Sequence, residues 1–268
     1  MKRNDQFHPL QTRIAPQHPD ACDFGAVMTL YISIIVSMYN PEMMQSLEEM
    51  RKMLPELMSA VGMKAGANSL LGFMSSYLYG FILIIFPMVF SILRGNALIA
   101  KYVDSNAMVA LLAAPIKRRT IVMTQMSVLL TGIFFLIIYG TALEILCGLQ
   151  FKGELEIPKL LLLNGGLLCL QLFIAGISFL ASCVFNDSKY SIAVGGGIPA
   201  LMYVLQMLAN TGGNAEKVKY FTFFTLFDPD ALIAGDRSGL IGIFVLLIGA
   251  CILFVASGMV FCKKDLHI

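Results

Sequence analysis

The sequence predicts an all-α membrane protein: six transmembrane helices, a basic helical segment on the cytoplasmic side, and amphipathic helices on the extracellular side. Three observations carry this. Of 268 residues, 57% are hydrophobic and only 13% charged, where a soluble domain carries about 25% charged residues. The mean hydropathy is +0.77. Six apolar segments can be drawn, several with 18 or more residues free of charge, the length that marks a membrane helix rather than a core helix.

Residues 1–23 are polar and contain Pro9, Pro16 and Pro19. They lack the apolar core and small-residue cleavage site of a secretory signal and read as a cytoplasmic lead-in. The first apolar segment, Phe24–Tyr39, is short against the roughly 20 residues a span needs, so it is expected to borrow residues at one end. The second lies within Leu70–Leu93, with a kink expected at Pro87. The third is Ile121–Leu143, with Glu144 read as an interfacial residue at its end. The fourth is Leu160–Phe185. The fifth, Ser191–Asn210, is interrupted by Gly195, Gly196, Gly197 and Pro199, which read first as close helix packing and alternatively as a hinge. The sixth is Leu240–Cys262, followed by Lys263 and Lys264.

Charge orients the chain. With the N-terminus, 94–120, 186–190 and the C-terminus inside, the inner segments hold eleven Lys/Arg against six acids, and the outer ones eight against eleven. The densest basic cluster, Lys117–Arg119, lies in a short loop beside a span, where the positive-inside rule weighs most. Both termini are then cytoplasmic.

Two outer segments have character of their own. In Asn40–Lys64, the residues Met43, Leu47, Met50, Leu54, Leu57 and Val61 recur at steps of four and three, forming one apolar stripe. Glu48 and Lys52 are a favourable i,i+4 pair, and Pro55 divides the segment into two short helices. The stripe reads first as a cap on the bundle, or on a second copy. Its methionines also suit an adaptable wall for a greasy substrate. The other segment, 211–239, has Tyr220, Phe221, Phe223, Phe224 and Phe227, spaced too closely for one helix face, and reads as re-entrant or interfacial.

The basic segment Arg94–Thr120 carries Arg94, Lys101, Lys117, Arg118 and Arg119 against one acid, Asp104. Its middle is apolar at helical spacing and stops at Ala114–Pro115. An amphipathic helix there can lie beneath the membrane and meet a soluble partner.

The chemistry is defined as much by what is missing. The sequence has no G-x-x-x-x-G-K-[ST], no H-E-x-x-H and no G-x-S-x-G, and its three histidines stand at 8, 18 and 267. Neither a phosphate-cradling loop nor a catalytic constellation can be drawn, so the chain is read as no enzyme. The spans hold almost no ionisable residue, so no ion-coupled relay is visible. Gln125, Asn164, Gln171 and Gln206 are their main polar side chains, expected mostly to bond between helices. Ser178, Ala181 and Gly176 form a small-residue packing face. The six cysteines include no C-x-x-C pair and read as buried packing thiols. If the chain moves a substrate, its energy enters from another protein.

Four stretches in order, spaced among six spans, resemble the permease subunit of an ABC-2-type exporter. They are Leu111–Arg119 (LLAAPIKRR), Phe185–Tyr190 (FNDSKY), Phe224–Pro229 (FTLFDP) and Phe261–Leu266 (FCKKDL). The resemblance covers about residues 27–268. It implies a coupling helix near Asp104–Ala113 that docks on a separate ATPase, with Asp104, Met108, Leu111, Leu112, Lys117, Arg118 and Arg119 at or beside the docking face. The family's acid-x-Gly-Thr start is replaced by Asp104-Ser105-Asn106-Ala107, and the prolines of residues 1–23 depart from its usual interfacial helix. It further implies two copies of this chain, two ATPase subunits holding ATP and magnesium, surrounding lipid, no cofactor in this chain and no nucleic acid. The MLPELM and FTFFTLFDPD stretches are similar to a Gram-positive subgroup, plasma-membrane proteins that include exporters of phenol-soluble-modulin-type peptides. On that resemblance, Met43, Met50, Leu54, Leu57, Gln171 and Gln206 are candidate substrate contacts. The alternative from another class is a membrane scaffold or sensor that signals to a cytoplasmic partner, with the 40–64 segment as its sensing cap.

Overall fold

The computed structural model describes residues 21–40, 49, 52–61, 69–104, 117–151 and 155–264. Among them there is no strand. Helix α1 is Ala21–Ser37, α2 Pro55–Ala60 and α3 Leu70–Tyr77. A π-helical turn, Leu78–Ile82, joins α3 to α4, Leu83–Leu98, and the short α5, Ala100–Asp104, follows. Helix α6 is Arg118–Gly148, α7 Ile157–Val184 and α8 Ser188–Asn210. Two 3₁₀ helices, Gly213–Phe221 and Phe223–Leu226, lead to α9, Pro229–Ala234, and α10, Arg237–Lys263.

Among the described residues, five helical stretches are long and apolar enough to cross a membrane: 70–104, α6, α7, α8 and α10. Helix α1 has 17 residues, gained by starting at Ala21, three residues before the expected boundary. It runs antiparallel to α3–α4. Phe24 packs on Phe90, Tyr31 on Phe86 and Tyr39 on Phe73, with ring centroids 5.5–5.6 Å apart. Its other neighbour is α6, where the Thr29 hydroxyl meets that of Tyr139 at 2.7 Å.

Helix α7 is the central post, buried along much of its length and packed against α4, α6, α8, α9 and α10. By contrast, α8 and α10 present Leu201, Val204, Phe244, Ile248, Ile252 and Val255 to the outside. In water such faces would demand a partner; in a bilayer they meet lipid tails.

Several expectations are corrected. The second span does not stop near Leu93. The helix runs on through Arg94 to Leu98 and, after a break at Ile99, to Asp104. The basic segment therefore begins inside the bundle, where Ser182 Oγ accepts from the Ala100 N–H (2.9 Å) and Asn96 Nδ2 donates to Ser188 Oγ (2.7 Å). At its other end, Arg118 and Arg119 are the first residues of α6, with Lys117 as the N-cap. The fifth span is not broken: α8 is continuous through Gly195–Gly197 and Pro199. Glu144 is not interfacial. The third span continues to Gly148, which carries Glu144 inside the bundle at 0% exposure. The cysteines divide: Cys169 and Cys183 are buried, Cys147 is half-buried, and Cys22, Cys251 and Cys262 are exposed, all six as free thiols. Pro55 begins a helix as expected, sitting at its first position, where its missing N–H costs nothing.

Two proline positions show how the bundle closes. A proline in a helix interior leaves the carbonyl four residues earlier without its donor. Pro87 does this to Leu83, and Pro199 to Gly195. Helix α7 supplies a replacement at Gly195 and, beside Leu83, a donor that bonds chiefly the next carbonyl. Gln171 Nε2 donates to the Ile84 carbonyl at 2.9 Å, with the Leu83 carbonyl at 3.5 Å. Ser178 Oγ donates to the Gly195 carbonyl at 2.8 Å. Asn164, Gln171 and Ser178 recur every seven residues, so one face of α7 carries all three.

Candidate functional site

The charge grouping reappears in space. Asn96, Arg118, Cys183, Ser188 and Lys264 meet at one end: Arg118 donates to the Lys264 carbonyl (2.7 Å), and Lys264 Nζ to the Cys183 carbonyl (3.0 Å). Burial of Lys264 holds its ammonium below the usual lysine range, the neighbouring Cys183 acting weakly the other way. Among the described residues this end carries eight Lys/Arg and three Asp. At the opposite end the acids outnumber the bases, and there the bundle opens into a cavity.

The cavity has a volume of ≈ 210 Å³. Seven elements contribute to it. Ser75, Ser76, Tyr79 and Gly80 come from α3 and the π turn, and Ile84 from α4. Tyr203, Gln206, Met207 and Asn210 come from the last turns of α8, and Ala60 from the end of α2. Phe224, Thr225, Phe227, Asp228, Pro229 and Asp230 come from the loop before and into α9. The π turn is part of the design. It offsets the helix register at Tyr79–Gly80, and the Tyr203 hydroxyl donates to the Gly80 carbonyl at 3.0 Å.

The far wall is set by local rules. Asp228 caps α9, its Oδ1 accepting from the Asp230 N–H (3.1 Å) and the Ala231 N–H (3.3 Å), with Pro229 at the first helical position. Gly235 closes the same helix at φ +77°, and the Asp236 N–H reaches back to the Ala231 carbonyl at 2.8 Å. Thr222 caps the preceding 3₁₀ turn and donates to the Met202 carbonyl of α8 at 3.0 Å. Gly242 lets α10 lie flush against this wall, since a Cβ there would overlap the Leu226 carbonyl oxygen. Phe224 and Tyr203 meet edge to face at 5.3 Å, and Phe227 stands 6.5 Å from Tyr79. Beyond the rim, Lys219 bonds Glu216 at 2.7 Å and holds that exposed carboxyl below its usual range.

Behind Tyr79 lies a buried acid. The Tyr79 hydroxyl donates to Glu144 Oε2 at 2.9 Å, and Asn164 Nδ2 donates to the same oxygen at 2.6 Å. Oε1 is buried and has no hydrogen-bond partner among the described residues. All three side chains are buried. An ionisable residue inside a membrane bundle is costly and marks function by default.

The expected site residues fare unequally. Gln206 lines the cavity, where its Oε1 lies 2.9 Å from the Thr225 hydroxyl and its Nε2 3.0 Å from Asn210. Gln171 does not line it; it is fully buried and committed to the α4 backbone. Leu54 and Leu57 are exposed, at 50% and 57%. Lys117 and Arg119 are exposed at the start of α6, and Asp104 is exposed at the end of α5. Met43, Met50, Met108, Leu111 and Leu112 lie outside the described residues, as does the rest of the Asp104–Ala113 helix.

Sequence reasoning missed the cavity's Tyr79, Tyr203 and Asp228, and the interior place of Glu144. One signal was available: Glu144 is the lone acid in an apolar run that continues with Ile145, Leu146 and Cys147.

No protein-family model matches this chain, no curated protein matches it, and no solved structure matches it.

Proposed function

We propose that this chain is the membrane subunit of an ATP-driven exporter, of the ABC-2 permease type. It crosses the plasma membrane six times, with both ends in the cytoplasm. Two copies form the path, and two copies of a separate ATPase drive it. The substrate is an amphipathic or lipophilic compound, with peptide toxins as the leading class.

The observation that carries this reading is the polarity of the bundle. One end gathers the basic residues and the α5 and α6 termini that flank the 105–116 segment. The other end opens into a cavity ringed by irregular backbone. A force applied at 104–117 acts directly on α4–α5 and α6, because that segment connects them. Helix α4 reaches the cavity through Ile84 and the π turn. The side-chain bonds from α7 to the backbones of α4 and α8, beside Pro87 and Pro199, allow the spans to shift between two packings as rigid bodies.

The test is a charge on the proposed docking face. Met108→Glu and Leu111→Glu should abolish co-purification with the ATPase encoded for this system and its stimulation by the membrane subunit. If both survive, the docking proposal is wrong. A sensor would bind its partner without stimulated turnover or ATP-dependent substrate movement in vesicles, so the same assay separates the two readings.

A further inference from the structure

We propose that the ≈ 210 Å³ cavity binds the cationic head of an amphiphile, an alkylammonium group, with its chain leaving over Ile84 and Met207. The proposal rests on the transport reading only in calling this ligand a substrate; the binding site stands on the geometry.

The walls have the right chemistry. Tyr79, Tyr203, Phe224 and Phe227 are all buried and contribute to the lining. Ring faces carry negative quadrupole density and attract desolvated cations, quaternary ammonium groups above all. Two carboxylates, Asp228 and Asp230, stand at the rim, and among the described lining residues there is no Lys, Arg or His. Behind the Tyr79 hydroxyl, Glu144 adds a third carboxyl in low-dielectric surroundings. One of its oxygens takes both available donors and the other takes none. An anion entering here would meet the rim carboxylates, with no Lys, Arg or His among the described lining residues to balance them.

Size and donor type exclude other occupants. Sites for drug-sized ligands run to about 300–1,000 Å³, so this one holds a head group or one side chain, not a folded peptide. A metal ion would want three or more convergent carboxylate, imidazole or thiolate groups, and the described residues contain no such set.

The experiment uses the full chain in dodecyl maltoside, without ATPase, and equilibrium dialysis of three probes. These are hexyltrimethylammonium, its uncharged carbon isostere and hexyl sulfate. The cation should bind at one per chain and the other two should not. Asp228→Asn with Asp230→Asn should weaken the cation about tenfold or more. Asparagine also caps helices well, so α9 is retained, and an unchanged unfolding temperature verifies the fold. Glu144→Gln should weaken binding in the same direction, and Tyr203→Leu should do so without any change of charge. Equal binding of the isostere or the sulfate overturns the proposal. So does unchanged cation binding in the folded double variant. Because no ATPase is present, failure here leaves the exporter reading standing, and failed docking leaves this site standing.

Discussion

Ser178 sits where three helices cross, and its removal is the sharpest test of how the bundle is held. A Cβ built on Gly95 of α4 would lie 3.1 Å from the Ser178 Cβ, and one built on Gly195 of α8 would lie 3.0 Å from its Cα. The serine hydroxyl donates to the Gly195 carbonyl, which Pro199 has deprived of its helical donor. Hydrogen bonds between membrane helices average about 0.6 kcal/mol and reach about 1.7 kcal/mol. The upper end applies here, because the carbonyl is buried and has no N–H to return to. Ser178→Ala should therefore cost about 1.5 kcal/mol. In a Pro199→Ala background, the N–H restored at position 199 serves Gly195, and the same change should cost about 0.5 kcal/mol. The coupling of about 1 kcal/mol is measurable in a double-mutant cycle by reversible unfolding in mixed micelles, followed by circular dichroism. Equal costs of Ser178→Ala in the two backgrounds would refute the claim that serine replaces the proline's missing donor.

Further outcomes follow from the same packing. Gly242→Ala sets a Cβ against the Leu226 carbonyl and should destabilise by about 2 kcal/mol despite better helix propensity. Gly258→Ala, in the same helix with nothing within 4 Å, should be neutral or stabilising by up to about 1 kcal/mol. Thermal unfolding of the pair reads the difference, and identical curves would contradict the close α10 contact. Tyr79→Phe takes one of two donors from buried Glu144 and should cost about 1–3 kcal/mol, whereas Tyr139→Phe, at a half-buried hydroxyl pair, should cost less. The comparison by the same unfolding assay fails if Tyr139→Phe is the more damaging.

The fold was legible where hydrophobicity alone decides. Four of the six expected apolar runs became α6, α7, α8 and α10 with ends no more than five residues from their expected limits. Boundaries failed where tertiary contacts override local polarity. Arg94 looked like the end of a span, yet the helix continues because Asn96 and Ala100 find partners on α8 and α7. Glu144 looked like an interface because it is acidic, yet Tyr79 and Asn164 draw it inside from 65 and 20 residues away. No local pattern encodes such pairings. The glycines and Pro199 of α8 suggested a break because the sequence does not show what will serve the freed carbonyl. The cavity was least legible of all. Its aromatics at 220–227 stand out in the sequence, but which of them turn inward depends on the Asp228 cap and the Thr222 turn, and Tyr79 and Tyr203 join them from distant helices.

The heptad spacing of Asn164, Gln171 and Ser178 also bears on motion. A backbone helix bond has one acceptor and resists sliding, but Gln171 and Ser178 each have a second choice. Ser178 Oγ lies 2.8 Å from the Gly195 carbonyl and 3.2 Å from the Ile174 carbonyl of its own helix. Gln171 Nε2 lies 2.9 Å from the Ile84 carbonyl and 3.5 Å from that of Leu83. A small displacement of α4 or α8 along α7 therefore exchanges one acceptor for another instead of stranding a donor in a low-dielectric interior, where an unmade bond is costly. The seam between α4, α7 and α8 is thus built to repack. It runs from the Asn96–Ser188 contact at the basic end to Ile84 and Tyr203 in the cavity wall, so a shift started at one end changes the shape of the site at the other.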